Sequence, residues 1–186
     1  MNVYIALLRG INVGGKNIIK MAELKKVFES IGLYEVQTYI QSGNVLFKSN
    51  EDEEHLRRKI ETGIESFFGF SCVVVLRTVT ELKQIIINLP FSEEEVSDAE
   101  SSSQSECLYV ALLNHAPSTE KIGCLEEYRS LNDDYRIIGR EVFILLRHSI
   151  RDSKLANNLH KLDMSMTIRN WKTINKVYDL ANATGL

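Results

Sequence analysis

Nine residues near the start of the chain, Arg9-Gly10-Ile11-Asn12-Val13-Gly14-Gly15-Lys16-Asn17, are of the types that hold anions. Glycines let backbone N–H groups converge on a phosphate, and arginine and lysine add charge. Gly10-x-x-x-x-Gly15-Lys16 matches the first seven positions of the P-loop G-x-x-x-x-G-K-[ST]. The eighth position is Asn17, which lacks the hydroxyl that would hold the metal. Helical periodicity begins only near Met21, so no helix N-terminus is aimed into the loop. The pattern predicts an anion-binding loop rather than a triphosphatase.

Two further polar clusters could act with it. Gln41-Ser42-Gly43-Asn44 has turn chemistry and lies beside the loop if the first strand pairs next to that hairpin. Arg169 can bond a phosphate or carboxylate in bidentate fashion, Asn170 can cap a helix, and Trp171 can stack on a base or pack in the core. The candidate ligand-binding set is therefore Arg9, Asn12, Gly14, Gly15, Lys16, Asn17, Gln41, Ser42, Asn44, Arg169, Asn170 and Trp171. No catalytic residue can be named. His55, His115, His148 and His160 follow no metal-ligand spacing, and Cys72, Cys107 and Cys124 form no CxxC, so neither metal nor cofactor is expected. Arg147-His148 at a strand end reads as a solvated turn.

Positioning these residues falls to a repeated order of elements. Val3 to Leu8 is a buried strand; Met21, Leu24, Val27, Phe28 and Ile31 recur at helical spacing; Val36 to Ile40 and Val45 to Phe47 form a hairpin. A helix with Leu56, Ile60, Ile64 and Phe67 and a strand at Cys72 to Leu76 complete β-α-β-β-α-β, the ferredoxin-like order. A helix from about Glu81 to Leu89 follows. Leu108-Tyr109-Val110-Ala111-Leu112-Leu113 echoes Val3-Tyr4-Ile5-Ala6-Leu7-Leu8, and the element order repeats. The expected fold is α+β: two ferredoxin-like halves with antiparallel sheets, plus a C-terminal helix. Its divisions are 1–91 for the N-terminal half, 92–106 for an acidic, Ser-rich linker or loop, and 107–186 for the C-terminal half with the terminal helix.

The 186 residues are 44% hydrophobic and 25% charged, enough for a core without disulfides. A net charge of −3 disfavours a dedicated nucleic-acid binder. Reduced, buried cysteines suit a cytoplasmic location, and no apolar stretch reaches the roughly 20 residues of a membrane span. The sheet also lacks the aromatic pattern of an RNA-recognition module.

The chain resembles the bacterial "domain of unknown function 1697" family. The resemblance is carried by Ala6 to Asn17, by Met21-Ala22-Glu23-Leu24, by Thr38 to Val45, and by Thr167 with Arg169-Asn170-Trp171-Lys172-Thr173. It implies an α+β fold of two related halves and supplies no activity. Its motif residues are polar and loop-borne, which suits binding. The expectation is a small anionic ligand held by the Gly loop, with the Arg169 cluster as a second half of the site. The competing expectations are a protein-interaction module and a weak nucleic-acid binder. Oligomeric state is not legible.

Overall fold

Continuous burial of Tyr4 to Leu8 explains why β1 (Asn2–Leu8) reads as an unbroken apolar run. In the computed structural model, which describes residues 1–103 and 105–183, β1 is followed by α1 (Met21–Ser30), β2 (Tyr34–Tyr39), β3 (Asn44–Ser49), α2 (Glu53–Phe68), β4 (Val74–Thr78) and α3 (Val79–Ile87). The sheet order is β2-β3-β1-β4, with every neighbouring pair antiparallel. Ile5 sits between Leu46 on β3 and Arg77 on β4. Tyr4, Ala6, Leu8, Val45, Phe47, Val74 and Leu76 form one sheet face and pack with Leu24, Phe28, Leu56, Ile60 and Ile64 of the helices. Within each helix those positions are four residues apart, which puts them on single stripes. Ile5, Leu7, Leu46, Val75 and Arg77 alternate onto the other face and are equally buried.

The same order recurs. β5 (Leu108–Leu113), α5 (Thr119–Gly123), β6 (Asp133–Ile138), β7 (Glu141–Leu146), α6 (Lys154–Asn158) and β8 (Met166–Asn170) lead into α7 (Trp171–Ala183). The second sheet runs β6-β7-β5-β8 and is antiparallel throughout. The two expected helices of this half are short, each followed by a 3-10 turn, at Glu126–Tyr128 and Leu159–Leu162. The α+β fold of two ferredoxin-like halves with a terminal helix is thus as expected.

The boundaries differ from the sequence reading. One unit comprises residues 1–84 with the end of α7 from Asn175, and the other is Ile85–Ile174. The division falls inside α3 and α7, where no break in composition marks it.

Residues 92–106 also differ from the expected linker or loop, because Glu93–Ser102 form a helix, α4. Its start is a capping box: the Ser92 hydroxyl accepts from Glu95 N, and the Glu95 carboxylate accepts from Ser92 N. The acidic residues that suggested a solvated segment have partners in the same unit. Arg136 bonds Glu95 and lies with its guanidinium 4.4 Å from the Phe91 ring centroid, and Arg147 donates to Asp98 at 2.7 Å. The Arg136 bond holds the Glu95 carboxyl below the usual carboxylate range. Ser92→Ala should cost about 1 kcal/mol of α4 stability. It should appear as hydrogen exchange about fivefold faster across residues 96–102, with β1 unchanged.

Among the described residues no helix is long and apolar enough to cross a membrane. Cys72 and Cys107 are buried, Cys124 is exposed, and among the described residues none is in a disulfide.

Candidate functional site

The Gly loop begins where β1 stops pairing. Leu8 N donates to Gly43 O at 2.8 Å, and Arg9 N donates to Val73 O at 2.9 Å. The loop then folds into a miniature hairpin. Asn12 N donates to Asn17 O and Lys16 N to Val13 O, both at 3.1 Å. Gly14 and Gly15, at φ +60° and +73°, form its turn; two successive positive φ values are the mark of a type I′ hairpin, which favours glycine. Asn12 and Asn17 also sit at positive φ, +54° and +50°, a region asparagine tolerates.

The asparagine side chains lock this shape. Asn12 Nδ2 donates to Ile19 O at 3.0 Å and to Gln41 O at 2.8 Å, and its Oδ1 accepts from Ile19 N at 2.8 Å. Asn17 Nδ2 donates to Gly10 O at 3.1 Å. Ile11 and Ile19 are buried and anchor the base. The bond to Gln41 places the loop against the β2–β3 turn, as expected if β1 pairs beside that hairpin. In the turn, Asn44 is fully buried and donates to Tyr39 O and Ser42 Oγ at 3.1 and 2.9 Å. Asn12 and Asn44 therefore hold backbone from within the fold, and Asn17 does so while remaining exposed. Gly43, at φ +76°, lies so close to β1 that a Cβ would stand 2.8 Å from Leu8 Cβ.

What the loop leaves outside is basic and partly apolar. Arg9, Lys16 and Lys20 are exposed, and among the described residues none of them forms an ion pair. No carboxylate occurs between Arg9 and Ala22. The amides of Gly14 and Gly15 donate to no group among the described residues. Gln41 and Ser42 are exposed, and Gln41 meets the loop at Asn12. Val13, Ile18 and Ile40 are 68%, 72% and 48% exposed. Ile40 also takes φ +46°, a conformation that costs a β-branched residue about 1–3 kcal/mol.

Arg169, Asn170 and Trp171 belong to the other unit. Arg169 on β8 is buried, and its Nη1 donates to Thr167 Oγ1 at 2.7 Å and to Ile168 O at 2.9 Å. Asn170 caps α7, its Oδ1 accepting from Thr173 N at 2.8 Å. Trp171 is half-buried. This segment repeats one in the first unit. Arg77 pairs with Ile5 as Arg169 pairs with Val110, and Thr78 pairs with Tyr4 as Asn170 pairs with Tyr109. Thr78 likewise caps its helix, accepting from Glu81 N at 3.2 Å. A buried arginine followed by a polar cap is thus a feature of the repeat.

A cluster not singled out by the sequence lies around Asp133. Its carboxylate accepts a short bond from the Ser153 hydroxyl and one from Ser130 Oγ at 3.3 Å, and His148 Nε2 lies 3.2 Å away. Ser153 is fully buried and caps α6 through Ala156 N. The hydroxyl bonds the carboxylate and not the imidazole, so this is a structural tie rather than a nucleophile with its base. No sequence spacing announces it, since its members come from a turn, a strand and a helix cap. Among the described residues no group of three or more His, Cys, Asp or Glu side chains could hold a metal ion.

The fold and the loop define a protein of two ferredoxin-like repeats, the first carrying a basic, glycine-turned hairpin at one end of its sheet. A family model described as "Protein of unknown function (DUF1697)" matches residues 1–143, and the chain belongs to that family. It is similar in structure to the conserved bacterial protein SP0830 from Streptococcus pneumoniae, with a TM-score of 0.74 and 25% identity over 97% of this chain and 98% of that one. No curated protein matches the chain.

Proposed function

We propose that this is a cytoplasmic binding protein whose Gly loop holds a small anion, a phosphate-bearing group above all. The observation that carries the reading is the pairing of a hairpin braced by its own asparagines with exposed Arg9 and Lys16 that have no ion-pair partner. A braced loop loses little entropy on binding. The open amides of Gly14 and Gly15 supply directional donors, and the two side chains supply charge. Gln41, whose carbonyl accepts from Asn12, is exposed at the side of the loop and would border a larger ligand.

The exposed Val13, Ile18 and Ile40 favour a second reading, in which the same loop contacts another protein. A thermal-shift series with inorganic phosphate, pyrophosphate and nucleoside mono- and diphosphates separates the two. An anion at 100 times its Kd should stabilise by about 2.7 kcal/mol. That corresponds to a Tm rise of about 5–10 °C for a chain of this size. Arg9→Ala/Lys16→Ala should abolish the rise. No rise with any of these anions defeats the anion reading and leaves the protein contact, to be sought by affinity capture with and without Val13→Ser/Ile18→Ser.

A further inference from the structure

The first unit also has a cleft that none of the Gly-loop residues lines. Between α1 and α2 is a solvent-open cleft of about 750 Å³, lined chiefly by one face of α2. His55, Lys59, Gly63 and Phe67 follow at intervals of four, so they form one ridge along the helix. At 1.5 Å per residue that ridge is about 18 Å long. Its two ends differ in chemistry. His55, Arg58 and Lys59 stand at the N-terminal end. Gly63 and Phe67 stand at the other, where α1 brings Val27 and Ile31. A Cβ on Gly63 would lie 3.2 Å from Ile31 Cγ2, so the glycine lets α1 wall this end closely. Phe67 is 60% exposed, edge-on to Phe68 at 4.8 Å between ring centroids, and gives this end an open apolar surface.

The cleft lining contains three basic side chains and no carboxylate. Glu51 and Glu54 pair with those bases from outside the lining, at 2.7–3.0 Å. The pairs of Arg58 and His55, whose side chains are largely exposed, contribute little to stability, so displacing them for an incoming carboxylate costs little. A volume of this size is in the range of ligand sites. From this polarity we infer that the cleft binds an amphiphilic carboxylate: an acid group among Arg58, Lys59 and His55, and an aliphatic chain laid over Gly63, Ile31 and Phe67.

Calorimetric titration with dodecanoate, kept below its micelle concentration, tests the assignment. One saturable site per chain is expected, with dodecyltrimethylammonium bound at least tenfold more weakly. Ser66→Trp, made at an exposed lining position, should fill the apolar end and weaken dodecanoate about tenfold or more. Phe67→Ser should weaken it about tenfold through the lost ring contact. Arg58→Gln/Lys59→Gln should remove the preference for the carboxylate over the ammonium amphiphile. Unsaturable binding, equal affinity for the two head groups, or affinity unchanged in both Ser66→Trp and Phe67→Ser would overturn the site. Circular dichroism of each variant confirms that the fold is kept.

Discussion

Asp133→Ala should lower the unfolding free energy by about 3 kcal/mol, among the largest effects of any polar substitution in the chain. For a chain of this size that is a fall in Tm of about 6–12 °C. The Asp133 carboxylate is buried and gathers donors from Ser130, Ser153 and His148, which lie in the turn before β6, at the cap of α6 and just past β7. Removing it leaves the fully buried Ser153 hydroxyl without its acceptor. A buried polar group so stranded costs about 1–3 kcal/mol. The lost His148 contact and the cavity add to this. Ser153→Ala should cost less, about 1–2 kcal/mol, since it removes a cap and one donor while sparing the carboxylate. Urea denaturation of the three proteins is the measurement. An Asp133→Ala protein within 1 kcal/mol of wild type would show that the tie contributes little.

Gly43→Ala should cost about 3 kcal/mol, from a left-handed conformation worth about 1–2 kcal/mol and from overpacking worth about 1–3 kcal/mol. The added methyl would meet Leu8 Cβ and Ile11 Cδ1, both at 2.8 Å. Ile11 can turn, but Leu8 Cβ is fixed by the strand. Gly32→Ala provides the comparison. Gly32 has φ +82° but open space around its missing Cβ, so only the conformational cost of about 1–2 kcal/mol applies there. Equal losses in the two variants would show that the close approach is unimportant. Because Ile11 anchors the Gly loop, Gly43→Ala should also weaken anion binding without altering any charge.

The fold was legible because its signals are periodic. The apolar run of β1, the alternation in β2, helical stripes in α1 and α2, and the Leu108–Leu113 echo each depend only on local spacing, and they recovered both antiparallel sheets. The unit boundary was not legible because helices α3 and α7 run through it without a glycine or proline. The helix at Glu93–Ser102 was hidden by composition: its acidic face reads as solvated until Arg136 and Arg147 are known to meet it, and they lie some forty to fifty residues away. The Gly loop was legible as a place but not as a mechanism. The sequence offers Asn12 and Asn17 as hydrogen-bonding groups, yet only the folded chain shows them bonded back onto the backbone of Ile19, Gln41 and Gly10. The same holds for Arg169, whose Thr167 and Ile168 partners depend on β8 geometry.

The division of the chain at Gln84 and Asn175 makes one unit continuous in sequence and the other not. Ile85–Ile174 is drawn from a single stretch of chain. The unit that begins with the first strand draws on a second segment, from Asn175, so a cut anywhere in the inserted repeat parts its two pieces. The repeat that carries the Gly loop is therefore the one whose chain continuity depends on the other.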